Sequence, residues 1–206
     1  MTGIRPDAVT MFDRLRADPF KGRMTQGEVE GVETIIRCWT ARMPDGDPRQ
    51  LAYCLATAFH ETAGTMAPVR ETLAASDDQA IARLDRAYAA GRLGQVKAPY
   101  WRRDGDGKAW FGRGLVQITH RANYLRLSRA IGIDLVAVPE RALEHDVAAA
   151  IMVAGMTGGL FTGAKLDDFI SGAKADWTGA RRIVNGTDRA ARIATIARGF
   201  SRALGC

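Results

Sequence analysis

Residues 51–72 read Leu51-Ala-Tyr-Cys-Leu-Ala-Thr-Ala-Phe-His-Glu-Thr-Ala-Gly-Thr-Met-Ala-Pro-Val-Arg-Glu-Thr72, and the rest of the chain is arranged around them. Leu51, Cys54, Leu55, Ala58, Phe59 and Thr62 recur at the spacing of one buried helical face. At about 100° per residue, Glu61 falls beside Cys54, on the border of that face. It also lies in the last turn before Gly64, a helix stop. Partial desolvation and the negative end of the helix dipole both disfavour a carboxylate there. Glu61 is therefore a candidate for a carboxylic acid that keeps its proton near neutral pH, as a general acid must. Pro68 forbids a continuous helix, and a second acid, Glu71, follows beyond it. Two carboxylates on either side of a break suit a cleft. A solvated helix-terminal glutamate is the plainer alternative for Glu61, and a surface position for Glu71.

On either side of this stretch the pattern is helical. Phe12, Leu15 and Phe20 punctuate a polar N-terminal segment, 1–24, read as one short helix docked on the body. Thr25 and Glu28 fit a capping box ahead of Val29, Val32, Ile35, Ile36 and Trp39. Residues 43–48 are turn-rich. Asp77 and Asp78 can cap a helix carrying Ile81, Leu84 and Tyr88 that stops at Gly91. Residues 91–110 have no clear period, and 110–119 read as extended or looped, with two glycines that allow close backbone approach. A helix with Tyr124, Leu127 and Ile131 runs to Gly132. Pro139 fits the first position of another carrying Leu143, Val147, Ile151 and Ala154. Short segments follow at Leu166–Ile170 and, as helix, at Trp177–Val184. A last helix buries Ile193, Ile196, Ala197, Phe200 and Leu204. The fold class expected is mainly α, one catalytic domain over 1–206 with its core in 25–206, a small extended element and a substrate cleft.

The chain of 206 residues, 47% hydrophobic and 25% charged, is long enough for a core without staples. A net charge of +6 and a pI near 9.6 favour a polyanionic partner: nucleic acid, an anionic membrane surface, or bacterial wall polymer. Three cysteines at 38, 54 and 206 form no CxxC pair and suit a reducing compartment. Met1-Thr-Gly-Ile-Arg-Pro6 has no apolar signal core and no run approaches a membrane span, so stable membrane insertion is not expected. Asp104-Gly-Asp-Gly107 fails as a calcium loop, because Ala109 and Leu115 stand where glycine and glutamate are needed. Three scattered histidines offer no zinc spacing. Neither a metal nor a cofactor is expected.

Phe59-His-Glu-Thr62, then Phe111-Gly-Arg-Gly-Leu-Val-Gln-Ile-Thr119 with Asn123-Tyr124, then Arg182-Ile-Val-Asn-Gly186 together resemble family 19 glycoside hydrolases. The likeness extends from about Gly22 to Leu204 and is nearer to the bacterial and phage, endolysin-type branch of this lysozyme-like group. The resemblance implies Glu61 as general acid and Glu71, within Val69-Arg-Glu-Thr72, as general base, although the loop between them is shorter than in the plant chitinases. It further implies Gln117, Thr119 and Asn123 as cleft-lining groups, with the hydroxyl helping to hold water, and Asn185 and Arg192 as later cleft residues. Ala63 and Ala122 depart from the chitinase pattern, which often has a hydroxyl residue and a tyrosine there.

Glycoside cleavage needs a proton for the leaving oxygen and a nucleophile on the opposite face. Inverting enzymes hold their carboxyls roughly 6.5–9.5 Å apart. A continuous ten-residue helix would separate its ends by about 15 Å, whereas a chain broken at Pro68 can close that gap. Asp77, Asp78, Asp104 and Asp106 compete with Glu71 for the base role, with caps and solvated turns as their plainer use. His60 is read either as orienting a neighbour in the substrate site or as solvated. Satisfying backbone in a glycine-rich loop is the plainer use of Gln117 and Asn123, Arg113 is expected to pin that loop through a buried carboxylate, and Arg181 and Arg182 bind substrate carboxylates or pair structurally. Trp101 and Trp110 are read as core before sugar platforms.

These readings point to hydrolysis of the β-1,4 glycan strand of peptidoglycan by a monomer that waits in the cytoplasm for a membrane lesion, or travels on a virion. Chitin hydrolysis and a catalytically silent wall-binding or virion protein are the alternatives. Nucleic-acid binding ranks last, for want of a recognisable motif.

Overall fold

The computed structural model describes residues 7–94 and 96–206; the reading made at Met1–Pro6 lies outside them. Seven α-helices carry these residues: α1 Ala8–Ala17, α2 Gln26–Arg42, α3 Pro48–Glu61, α4 Asp77–Ala89, α5 Arg121–Ile131, α6 His145–Gly158 and α7 Ala190–Leu204. Two small antiparallel ribbons complete them. In one, β1 (Val69–Arg70) pairs with β2 (Arg113–Gly114), with Val69 opposite Gly114. In the other, β3 (Ile170–Ser171) pairs with β4 (Lys174–Ala175). Among the described residues no helix is long and apolar enough to cross a membrane.

Local signals set most helix boundaries. The Thr25 hydroxyl accepts from Glu28 N–H and the Glu28 carboxylate accepts from Thr25 N–H, a complete capping box. Thr25→Ala is expected to cost about 1 kcal/mol of stability, to be read as a lower midpoint in urea. The N-cap of α3 is Asp47, with Pro48 in the first turn, so the helix begins one turn earlier than its apolar period indicates. Ser76, not Asp77 or Asp78, caps α4. The helix expected from Pro139 is two elements. Glu144 adopts extended backbone between a 3₁₀ turn at Pro139–Leu143 and the start of α6, which no side-chain period reveals. The helix expected at Trp177–Val184 is a 3₁₀ turn at Gly179–Ile183.

The central helix α3 departs most from expectation. Its Leu51, Cys54, Leu55 and Ala58 are buried as the period requires, but so are Ala52, Tyr53, Ala56 and Thr57 on the other faces. It is enclosed by α2, α6 and α7 rather than packed on one side, and only its two ends approach solvent. α1 docks through Phe12 and Leu15. Phe20 then sets its ring edge-on to Phe59 at 5.0 Å, and both rings meet Phe200 of α7 at 6.2 Å.

The buried residues form two clusters. The large one gathers α1–α3 and α5–α7. The small one joins Ala80 and Leu84 of α4 to Trp101, Ala109 and Phe111. Arg113, fully buried, ties them together. Its guanidinium lies 3.8 Å from the centre of the Phe111 ring in the small cluster and donates to the Tyr124 hydroxyl of the large one at 3.1 Å. It also donates to Ala109 O at 2.8 Å and to Asp77 Oδ2 at 2.5 Å, and Asp77 receives Arg70 at 2.6 Å from β1. The loop is pinned by a shielded carboxylate, as the sequence suggested.

Candidate active site

Glu61 is the last residue of α3, and its side chain is 18% exposed. Beyond it the chain reverses through Thr62, Ala63 (φ 54°) and Gly64 (φ 90°), with Gly64 N–H returning to Phe59 O at 2.7 Å. The buried Thr62 hydroxyl accepts from Met66 N–H and donates to Ala58 O, which fixes the exit from the helix. Glu61 Oε1 receives a hydrogen bond of 2.7 Å from Arg181, whose side chain is 4% exposed. Arg181 in turn donates to Asp188 O. Burial and the helix dipole at Glu61 are local signals, whereas the partner of this guanidinium is not marked by its spacing. The arginine comes from the 3₁₀ turn 120 positions along the chain.

Glu71 begins the 3₁₀ turn after β1, at half-buried depth. Its Oε1 accepts from the Tyr100 hydroxyl at 2.8 Å and its Oε2 from Gly112 N–H at 2.7 Å, while Glu71 N–H donates to Gly112 O at 2.6 Å. Burial and the adjacent carboxylate push the Tyr100 phenol upward, which keeps it a donor. Gln117 enters the same corner. Its amide nitrogen donates to Val69 O and Gly114 O, leaving Oε1 turned toward Gly112. A Cβ on Gly112 would lie 2.8 Å from Gln117 Oε1 and 3.3 Å from Glu71 Oε2, so any larger residue would push on these two side chains. Tyr100 carries no periodic signal in its segment and went unnoticed in the sequence.

The other expected residues are spread more widely. Asn123 donates to Thr119 O at 2.8 Å, just ahead of α5, and the Thr119 hydroxyl has no hydrogen-bond partner among the described residues. Asn185 is exposed and turns its amide oxygen onto its own neighbour, Gly186 N–H. His60 and Arg192 share the wall of a hollow that Glu61 does not line. Burial, more than any nearby charge, lowers the His60 imidazole from its ordinary 6.5, so it is neutral at pH 7.

Three of the four competing acids are engaged elsewhere, and Asp106 is exposed. Asp77 is held by Arg70 and Arg113, and Asp78 is exposed and meets Arg103. Asp104 accepts from Asp106 N–H, Lys108 N–H and the Trp110 indole, closing a turn. Trp101 is fully buried and donates to Asp85, and Trp110 is 6% exposed; both serve the interior.

Among the described residues eight other than glycine have positive φ, and Ala63, Met66, Thr72, Leu73, Gln117 and His120 fall in the two segments that carry these acids and amides. Such conformations persist only where surrounding contacts impose them, and they gather at functional sites. Two carboxyl groups result, one at the edge of each core cluster, each bound through hydrogen-bond donors and reached by strained loops.

The chain matches the family described as chitinase class I, glycoside hydrolase family 19, over residues 34–157. No curated protein matches it in sequence. Its fold is similar to chitinase C from Streptomyces griseus, with TM-score 0.54 and 17% identity over 96% of this chain and 75% of that one. It is also similar to a glutamate-to-glutamine mutant of chitinase C, at TM-score 0.53, 18% identity, 96% and 91%. A bacterial family 19 chitinase gives TM-score 0.50, 18% identity, 96% and 92%. With the mainly α, lysozyme-like architecture described above, the match over residues 34–157 places the chain among the family 19 glycoside hydrolases, as a glycosidase.

Proposed function

We propose that this glycosidase is an endolysin-type enzyme that cleaves the β-1,4 glycan strand of bacterial peptidoglycan with inversion, acting as a monomer. Access to the wall through a separate membrane lesion, or aboard a virion, belongs to the same proposal. Glu61 delivers a proton to the leaving oxygen and Glu71 takes one from water, with Thr119 and Asn123 directing that water. The observation that carries the acid and base assignment is the contrast in how the two carboxyls are held. Glu61 uses one oxygen for the ion pair with Arg181, and Oε2, with no partner among the described residues, is the atom left to meet the leaving group. Glu71 accepts a donor on each oxygen, which fixes its orientation, and each oxygen keeps a second lone pair for water.

Glu71→Gln puts an NH2 opposite either Tyr100 or Gly112 N–H. It is expected to lower kcat by roughly 10²–10³-fold with little change in KM, and wild-type kcat in a folded variant would remove Glu71 from the base role. Peptidoglycan is preferred over chitin because the net charge of +6 favours a polymer bearing peptide carboxylates, whereas chitin is neutral. The resemblance to solved chitinases favours chitin as the second reading. Turbidity loss of outer-membrane-stripped bacteria, with mass spectrometry of the products beside chitooligosaccharide digests, separates the two. Release of reducing muropeptides supports the proposal, cleavage of chitooligosaccharides alone supports the second reading, and anhydro ends indicate a lytic transglycosylase.

A further inference from the structure

A hollow of about 710 Å³ opens beside His60, the residue before Glu61. Apart from the end of α3, it is built by the loop between α1 and α2, by Glu28 and by α7, outside the residues 34–157 over which the family matches. Its size is that of a ligand site, on the order of 300–1,000 Å³. Phe20, Phe59 and Ile196 give it an apolar side.

The charges around it are unequal in their engagement. The Asp18 carboxylate takes Arg202 at 2.5 Å, and Glu28 Oε2 accepts Thr25 N–H at 2.7 Å in the capping box. The two cations, Lys21 and Arg192, are exposed and form no ion pair among the described residues. The hollow thus offers two uncommitted cations next to an apolar surface, within one residue of the candidate acid.

We propose that this hollow is a subsite for the carboxylate-bearing peptide branch of the peptidoglycan strand, with Lys21 and Arg192 facing the carboxylate and the phenylalanine side taking its aliphatic part. The inference rests on the peptidoglycan reading and gives it a physical source of discrimination. The substituents of chitin are neutral acetamides, which leave both cations unused. A carboxylate close to two guanidinium or ammonium groups forms charge-assisted hydrogen bonds and holds the adjoining sugar in register with Glu61.

The test uses the whole protein on two substrates: sacculi from Gram-negative bacteria, which carry no phosphate polymer, and the same sacculi stripped of peptides by an amidase. Two variants address charge and space separately. Lys21→Glu reverses one cation, and Thr195→Trp fills the hollow from an exposed position of α7 whose hydroxyl bonds only its own helix. Both should raise KM on intact sacculi about tenfold and leave kcat/KM on stripped glycan within twofold of wild type. Equal losses on the two substrates, or no loss on either, overturn the subsite while the peptidoglycan reading stands. Wild-type enzyme that cleaves chitooligosaccharides and neither form of sacculus overturns both. Thermal melts of the variants verify that folding is retained.

Discussion

Glu61→Gln is expected to lower turnover on the natural glycan by about 10³-fold, within the range a general acid contributes, while the protein stays folded. The amide retains an oxygen that can accept the hydrogen bond from Arg181 seen at 2.7 Å, so the end of α3 and the 3₁₀ turn at Gly179–Ile183 keep their link. What the amide lacks is a transferable proton. Substrate binding is expected to change little, because the mutation removes an interaction made in the transition state and not in the ground state. The measurement is kcat and KM on purified glycan strands, with a thermal melt as the folding control.

Arg113→Met is expected to have the largest effect on stability, about 3 kcal/mol, or a midpoint roughly 10 °C lower for a domain of this size. Methionine preserves the apolar stem over Phe111 and removes the guanidinium that joins Ala109 O, Tyr124 Oη and Asp77 Oδ2. The loss leaves Ala109 O without this donor in buried structure, while the Tyr124 hydroxyl keeps its own bond to Phe111 O. Asp77 would keep Arg70 alone.

The same network sets a pH dependence. Burial tends to raise the Asp77 carboxyl, and Arg70 and Arg113 outweigh it, holding it below the ordinary 3.8. The unfolded chain therefore binds the proton first as pH falls, so this contribution is complete above the ordinary value and is lost as acidity reaches the folded one. Wild type should lose stability steeply below about pH 4, and Arg113→Met should lose less over that window. An Arg113→Met protein as stable as wild type would show that the two clusters are not joined there.

These two residues illustrate what a sequence reveals and what it withholds. The capping box at Thr25 and Glu28, the C-terminal stop after Glu61 and the apolar period of α7 are local signals, and they were legible because each depends on neighbours three or four positions away. The partners of the site residues are not local. Arg181 reaches Glu61 across 120 positions and Tyr100 reaches Glu71 across 29, and nothing in the spacing of either donor marks its acceptor. Arg113 is intermediate. Its setting between two glycines suggested a buried partner, yet the choice of Asp77 depends on α4 lying against β1, which is decided by tertiary packing. Helix length failed where backbone rather than side chains decides it, as at Glu144, whose extended conformation splits two elements that share an apolar pattern.

The proton-donor role of Glu61 is most directly tested with a leaving group that needs no proton. On an oligosaccharide of the same glycan carrying a dinitrophenyl aglycone, Glu61→Gln should turn over within about tenfold of wild type, against the roughly 10³-fold loss on the natural bond. An equal loss on both substrates would contradict general-acid catalysis by Glu61 and with it the assignment on which the proposed mechanism stands.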